Sequence, residues 1–125
     1  MEFKEKHAIY LQIAEYVCDQ ILLKKWRLGD KALSIRDLAI ALEVNPNTIQ
    51  RAYDILQQQE IIVNKRGIGY FVHTGAMERI LAFRREQFIR NELPGFFRNL
   101  YLLNMDFKEI KPLFDQFVKE NFITK

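Results

Sequence analysis

Cysteine is almost missing from this chain of 125 residues: Cys18 stands alone. An internal disulfide is thereby excluded, and with only His7 and His73 for company no Cys/His spacing suited to a metal can be assembled. Cys18 reads as a small buried apolar thiol on a helix, and the two histidines as plain surface residues. No uninterrupted apolar run approaches the roughly 18 residues of a membrane span. The N-terminal MEFKEKHAIY lacks the apolar centre of a signal peptide. A cytoplasmic protein in a reducing environment is expected. No nucleophile stands in a pattern with a base, so no catalytic residue, metal or cofactor is assigned and an enzyme is not expected. Repeats and low-complexity stretches are also missing. Nor does one sign of charge dominate: 19 Lys and Arg against 16 Asp and Glu leave a net +3, with a pI near 9.0. Such a mild excess neither requires nor rules out a polyanionic partner.

What is present is apolar substance, 49% of the residues with ten phenylalanines, enough to bury a core. From Ala8 to Leu23 the residues Tyr10, Ile13, Ala14, Val17 and Ile21 recur at helical spacing, with Gln12, Glu15, Asp19 and Gln20 facing elsewhere. Gly29 and Asp30 signal a turn, and the following KAL is at most a stub of edge strand. Ser34 is placed to cap a second helix, with Asp37 completing a capping-box pattern and Leu38, Ala39, Ala41 and Leu42 as the buried face, ending near Glu43. In VNPNTIQRAYDILQQQ, Asn45 reads as an N-cap with Pro46 at the first helical position, where a missing N–H costs nothing. Ile49, Ala52, Tyr53 and Leu56 fall on one side of this third helix, and Asn47, Gln50, Arg51, Asp54, Gln57 and Gln58 on the other. IIVNK and YFVH, linked across RGIG, predict a β-hairpin with a basic tip.

Beyond Thr74 only helices are predicted. AMERILAFRREQFIRNEL carries Met77, Ile80, Leu81 and Phe88 on its apolar side, LPG at 93–95 breaks it, and FFRNLYLLN forms a second piece. DFKEIKPLFDQFVKEN forms a third, capped by Asp106, in which Pro112 should remove one backbone bond and bend or restart the helix.

The order helix, stub, helix, tight turn, helix, hairpin is that of a winged helix-turn-helix, whose third helix enters a DNA major groove while the hairpin lies along the backbone. Amides can pair with adenine and arginine with guanine, so Asn47, Thr48, Gln50 and Arg51 form a usable reading edge. Asp54, one turn on, would repel phosphate, which confines contact to the first two turns of the helix.

IYLQIAEYV, GDKALSIRDLA, VNPNTIQRAYDIL and KRGIGYFV closely resemble the signature segments of GntR-type bacterial transcription regulators, from about Ile9 to Val72. The tail LPGFFRNLYLLNMDFKEI is similar to that of the YtrA-like subgroup, whose members lack a large ligand-binding domain and pair through C-terminal helices. The resemblance implies DNA contacts from Ser34 and Arg36, from Asn45, Asn47, Thr48, Gln50 and Arg51, and from Lys65, Arg66 and Gly67 in the wing. It also implies a place in an operon with membrane-transport components. Two departures, Leu33 where the family often has proline and Lys24 where it often has glycine, bear only on the local path between the first two helices.

Each of these residues has a plainer role beside the functional one. Ser34 and Asn45 are wanted as helix caps in any case. Arg36 occupies a first turn where a cation is electrostatically disfavoured, which argues for a phosphate partner. Lys65 and Arg66 beside glycines are common exposed charges that also suit a phosphate. Phe83, Phe88, Phe96, Phe97, Phe107, Phe114, Phe117 and Phe122 are more aromatic surface than three short helices bury alone. They can pack on the first helix of their own chain or on a two-fold partner; Phe88, Phe96, Phe97, Leu100, Phe107, Ile110, Phe114 and Phe117 are the candidate dimerisation residues.

The expectation is therefore a mainly α fold with a small β-hairpin. Residues 8–74 would form a winged helix-turn-helix and 75–125 a helical dimerisation tail. The function expected is that of a sequence-specific regulator, in the sense of a repressor, binding a palindromic operator in double-stranded DNA as a homodimer. It would sit in the cytoplasm, on the nucleoid when bound, with no membrane partner and an effector that no polar cluster marks. The rival is a winged-helix protein-interaction module acting through the apolar tail. An enzyme with the pyridoxal-phosphate-type domain of some GntR relatives would need a longer chain, and RNA binding would need an aromatic stacking platform.

Overall fold

The computed structural model describes residues 8–123; His7 lies outside them. In chain order these form α1 (Ile9–Leu22), α2 (Ile35–Leu42), α3 (Pro46–Gln58), β1 (Ile62–Lys65), β2 (Gly69–Val72), α4 (Ala76–Asn91), α5 (Leu93–Leu102) and α6 (Phe107–Asn121). Two compact units divide the chain, residues 1–83 and 84–125, the division falling inside α4.

In the first unit α1 and α2 both pack on α3, and β1 follows α3 into the same core. Ile13, Val17 and Ile21 meet Leu38, Ile49, Tyr53 and Leu56 there, closed by Ile62, Val72 and the first turns of α4 through Ala76 and Ile80. Each fully buried aliphatic side chain contributes about 1.5–3 kcal/mol of transfer free energy. Cys18 is buried, as its helical position predicts. Gln12 is a correction: it is buried rather than turned away. The buried stripe of α1 is wide, spanning Gln12, Ile13, Ala14, Val17, Cys18 and Ile21, so an amide adjoining the apolar seam is drawn in. No buried side-chain nitrogen or oxygen among the described residues lacks a partner.

The helix starts follow from capping chemistry. The Asp37 N–H donates to Ser34 Oγ at 3.0 Å, and the Asn47 N–H to Asn45 Oδ1 at 2.8 Å with Pro46 opening α3. Ala41, expected inside, faces solvent because the short α2 buries only Leu38, Ala39 and Leu42. α1 is followed by Lys24 in a left-handed conformation, φ 62°. A side-chain-bearing residue thus takes a backbone conformation that glycine adopts freely.

β1 and β2 pair antiparallel with Ile62 opposite Val72 and Lys65 opposite Gly69. The expected stub is real: Lys31 bridges Phe71, and the Ala32 N–H donates to the Tyr70 carbonyl at 2.8 Å. Gly67 at φ 79° makes the hairpin turn that a side-chain-bearing residue adopts only with strain.

In the second unit the LPG segment differs from expectation. α4 does end just before it, at Asn91, but Leu93 and Pro94 are the first turn of α5, where a proline loses no bond. Pro112 neither ends nor restarts α6, which runs through it as one helix. A full capping box between Asp106 and Glu109 secures the first turn of α6, and Lys111 pairs with Asp115 at 2.8 Å. Leu81 and Phe88 of α4, expected on an apolar face, are 40% and 49% exposed. No helix among the described residues is long and apolar enough to cross a membrane.

Candidate nucleic-acid interface

α3 sorts its residues cleanly. Ile49, Ala52, Tyr53 and Leu56 are buried, Asn47, Gln50, Arg51 and Asp54 exposed, and Thr48 half-buried. Its first turn carries no acidic residue, so the positive end of the helix dipole is left unneutralised by its own side chains. The oxygen of Asn45 is occupied by its cap, leaving the amide nitrogen for other partners. Gln50 Nε2 donates to Asp54 Oδ1 at 2.9 Å, which engages the carboxylate that would otherwise oppose phosphate. The Arg51 guanidinium lies over the Tyr10 ring, 4.0 Å from its centroid. Stacking uses only the face of that planar group, so its in-plane N–H donors stay available.

Tyr53 ties the candidate elements to one another. Its hydroxyl donates to the Leu33 carbonyl at 2.6 Å, just before Ser34 and Arg36. Its ring meets Tyr70 of β2 edge-on with centroids 4.9 Å apart. Burial pushes the Tyr53 phenol well above the ordinary tyrosine value, with Tyr70 adding to the effect, so the hydroxyl stays protonated and can donate. One buried residue of α3 thus holds both the start of α2 and the wing.

Ser34 and Arg36 stand exposed at the start of α2, and Lys65, Arg66 and Gly67 exposed at the end of the wing. Lys65 Nζ rests 4.3 Å from the Phe71 ring centroid. All the sequence-predicted DNA-contact residues therefore lie on the elements of the first unit. The candidate dimerisation residues lie in the second. Phe88, Phe96, Phe97, Phe107, Phe114 and Phe117 are between 38% and 59% exposed, whereas Leu100 is already buried at 8% and Ile110 is half-buried. Two contacts escaped the sequence reading. Tyr10 packs against the core as expected, but its half-buried ring also underlies Arg51, and Lys31 of the stub lies beside Gly69. Neither contact carries a local signal, since each joins segments far apart in the chain.

The model of the bacterial regulatory proteins of the gntR family matches residues 9–72. The chain belongs to the GntR family. The chain is 34% identical to the HTH-type transcriptional regulator YhcF of Bacillus subtilis over 87% of its own length and 88% of that protein. It is 37% identical to the HTH-type transcriptional repressor YtrA of the same organism, over 54% of this chain and 52% of that one. A crystal structure of a GntR-family regulator from Bacteroides thetaiotaomicron superposes with a TM-score of 0.69 at 45% identity, covering 90% of this chain and 98% of the other. The matched span coincides with the segment from Ile9 to Val72 that the motifs single out. The fold is a GntR winged helix-turn-helix with a helical tail, and the role is that of a DNA-binding transcriptional regulator, not an enzyme.

Proposed function

We propose that this GntR-family chain is a homodimeric repressor that reads a palindromic operator through the front of α3. The observation that carries the reading is the exposed edge of Asn47, Thr48, Gln50 and Arg51, backed by a fully buried face. Paired donors and acceptors, rather than net charge, are what base edges in a major groove require. Ser34, Arg36, Lys65, Arg66 and Gly67 take the phosphate contacts that set register, and the amide of Asn45 adds another beside its cap. Repression draws support from the likeness to YtrA, named a repressor. Control of an operon with transport components rests on the same subgroup resemblance. The protein would act in the cytoplasm, on the nucleoid when bound, with no cofactor.

The exposed phenylalanines support pairing. At about 200 Å² per side chain, the six that are 38–59% exposed leave roughly 600 Å² open. A stable interface needs about 800 Å² per partner, so these rings supply most of one. Light scattering should give twice the 15.0 kDa chain mass. Binding to an inverted repeat should exceed binding to one half-site by far more than two-fold. A monomer that binds both equally would remove the dimer and the palindrome together. The same exposed surface favours the second reading, a protein-interaction module, which a monomer lacking DNA preference would support.

A further inference from the structure

The two-stranded wing is flanked by a single bridging residue, Lys31, and its outer face carries the consequence. Lys31 bridges Phe71 on one side of β2, with the Val72 N–H donating to the Asp30 carbonyl at 2.9 Å. On the other side, Phe71 faces Val63 and Gly69 faces Lys65. Side chains alternate along strands, so Lys31, Phe71, Val63 and Lys65 share one surface while Ala32, Tyr70, Val72 and Ile62 share the other. Burial agrees: Ala32, Val72 and Ile62 are in the core, whereas Lys31, Val63 and Lys65 are exposed.

Lys31 does not hang free from this surface. A Cβ built on Gly69 would lie 2.9 Å from Lys31 Cε and 3.6 Å from Nζ. The missing side chain at Gly69 therefore gives the lysine stem its path across β2, and Nζ ends beside the last residue pair of the hairpin. Lys65, of that same pair, is held over the Phe71 ring. Among the described residues neither lysine pairs with a carboxylate.

We infer that Lys31 is a DNA phosphate ligand, which with Lys65 forms a two-cation clamp on the outer face of the wing. The inference rests on the operator-binding reading above and adds a contact to it. Lys65 ends β1 and Lys31 bridges β2, and both side chains are laid against β2, so less side-chain freedom is lost on engaging a phosphate than from a loop. Neither reaches for a particular base, so the clamp strengthens all duplexes alike.

The test is equilibrium binding of the full chain to its own upstream duplex and to a scrambled one, across a salt series. Lys31→Gln, which keeps a polar stem over Gly69, should flatten the log–log salt slope by about 0.9. It should weaken both duplexes by the same factor, leave the thermal midpoint unchanged, and add to Lys65→Gln. Lys31→Arg, which keeps the charge, should retain the wild-type slope. A Lys31→Gln slope equal to wild type, with wild type binding normally, overturns this inference alone. A changed ratio between the duplexes overturns it in favour of base contact. Wild-type protein without salt-dependent binding overturns it together with the reading beneath it.

Discussion

Replacing Tyr53 by phenylalanine removes one oxygen from the buried side of α3, and its cost can be worked from the structure. The ring keeps its burial and its edge contact with Tyr70, so packing is unchanged to first order. What is lost is the 2.6 Å bond to the Leu33 carbonyl. A net hydrogen bond is worth about 0.5–1.5 kcal/mol, and Leu33, at 41% exposure, lets water partly re-pair its carbonyl. Tyr53→Phe should therefore cost about 1 kcal/mol, a fall of roughly 4 °C in Tm for a chain of this size. The pH dependence supplies a second signature. Burial raises the Tyr53 phenol above its ordinary 10.0, so above that pH the unfolded chain loses this proton while the folded one keeps it. Its stabilising contribution is complete below pH 10.0 and falls as pH rises, by about 1.4 kcal/mol per unit. Urea unfolding of both proteins between pH 8 and 11 measures it. The gap between wild type and Tyr53→Phe should shrink and then reverse as pH rises. A Tm within 1 °C of wild type, with a gap that does not change with pH, would refute the role of the hydroxyl.

Three further outcomes are expected. Lys24→Gly relieves a left-handed residue at φ 62° and should stabilise by up to about 1 kcal/mol, the strain relief of about 1–2 less a smaller unfolded-state entropy loss; a lower Tm would contradict it. Tyr10→Phe should keep operator affinity, whereas Tyr10→Leu should lose about 0.5–1 kcal/mol by releasing the Arg51 guanidinium, read by fluorescence anisotropy. Equal losses in both variants would assign the effect to the hydroxyl rather than to the ring beneath Arg51. Phe114→Ser with Phe117→Ser should shift light scattering toward monomer, since both rings are more than half exposed; an unchanged dimer would move the interface elsewhere.

Much of the first unit was legible because its signals are local. Ser34 and Asn45 cap the helices they precede, announced by Asp37 three residues on and by Pro46 immediately after, without any knowledge of the fold. The α3 face and the hairpin glycines follow from periodicity and from positive φ. What escaped depends on contacts between distant segments. Gln12 is buried by the width of a seam that α1 alone does not reveal. Tyr10 meets Arg51, and Lys31 lies across Gly69, only once three elements are assembled. In the second unit, the prolines place the breaks less sharply than the helices run. Pro94 marks a break but opens the next helix, and Pro112 costs α6 one bond without ending it.

The central claim is tested most directly by the ratio of dissociation constants for the chain's own upstream duplex and a scrambled duplex of equal length, at one fixed salt concentration. A preference of about 10³-fold or more is expected, collapsing toward unity when Asn47 and Gln50 are both replaced by alanine. Equal affinity of the wild-type protein for the two duplexes would contradict it.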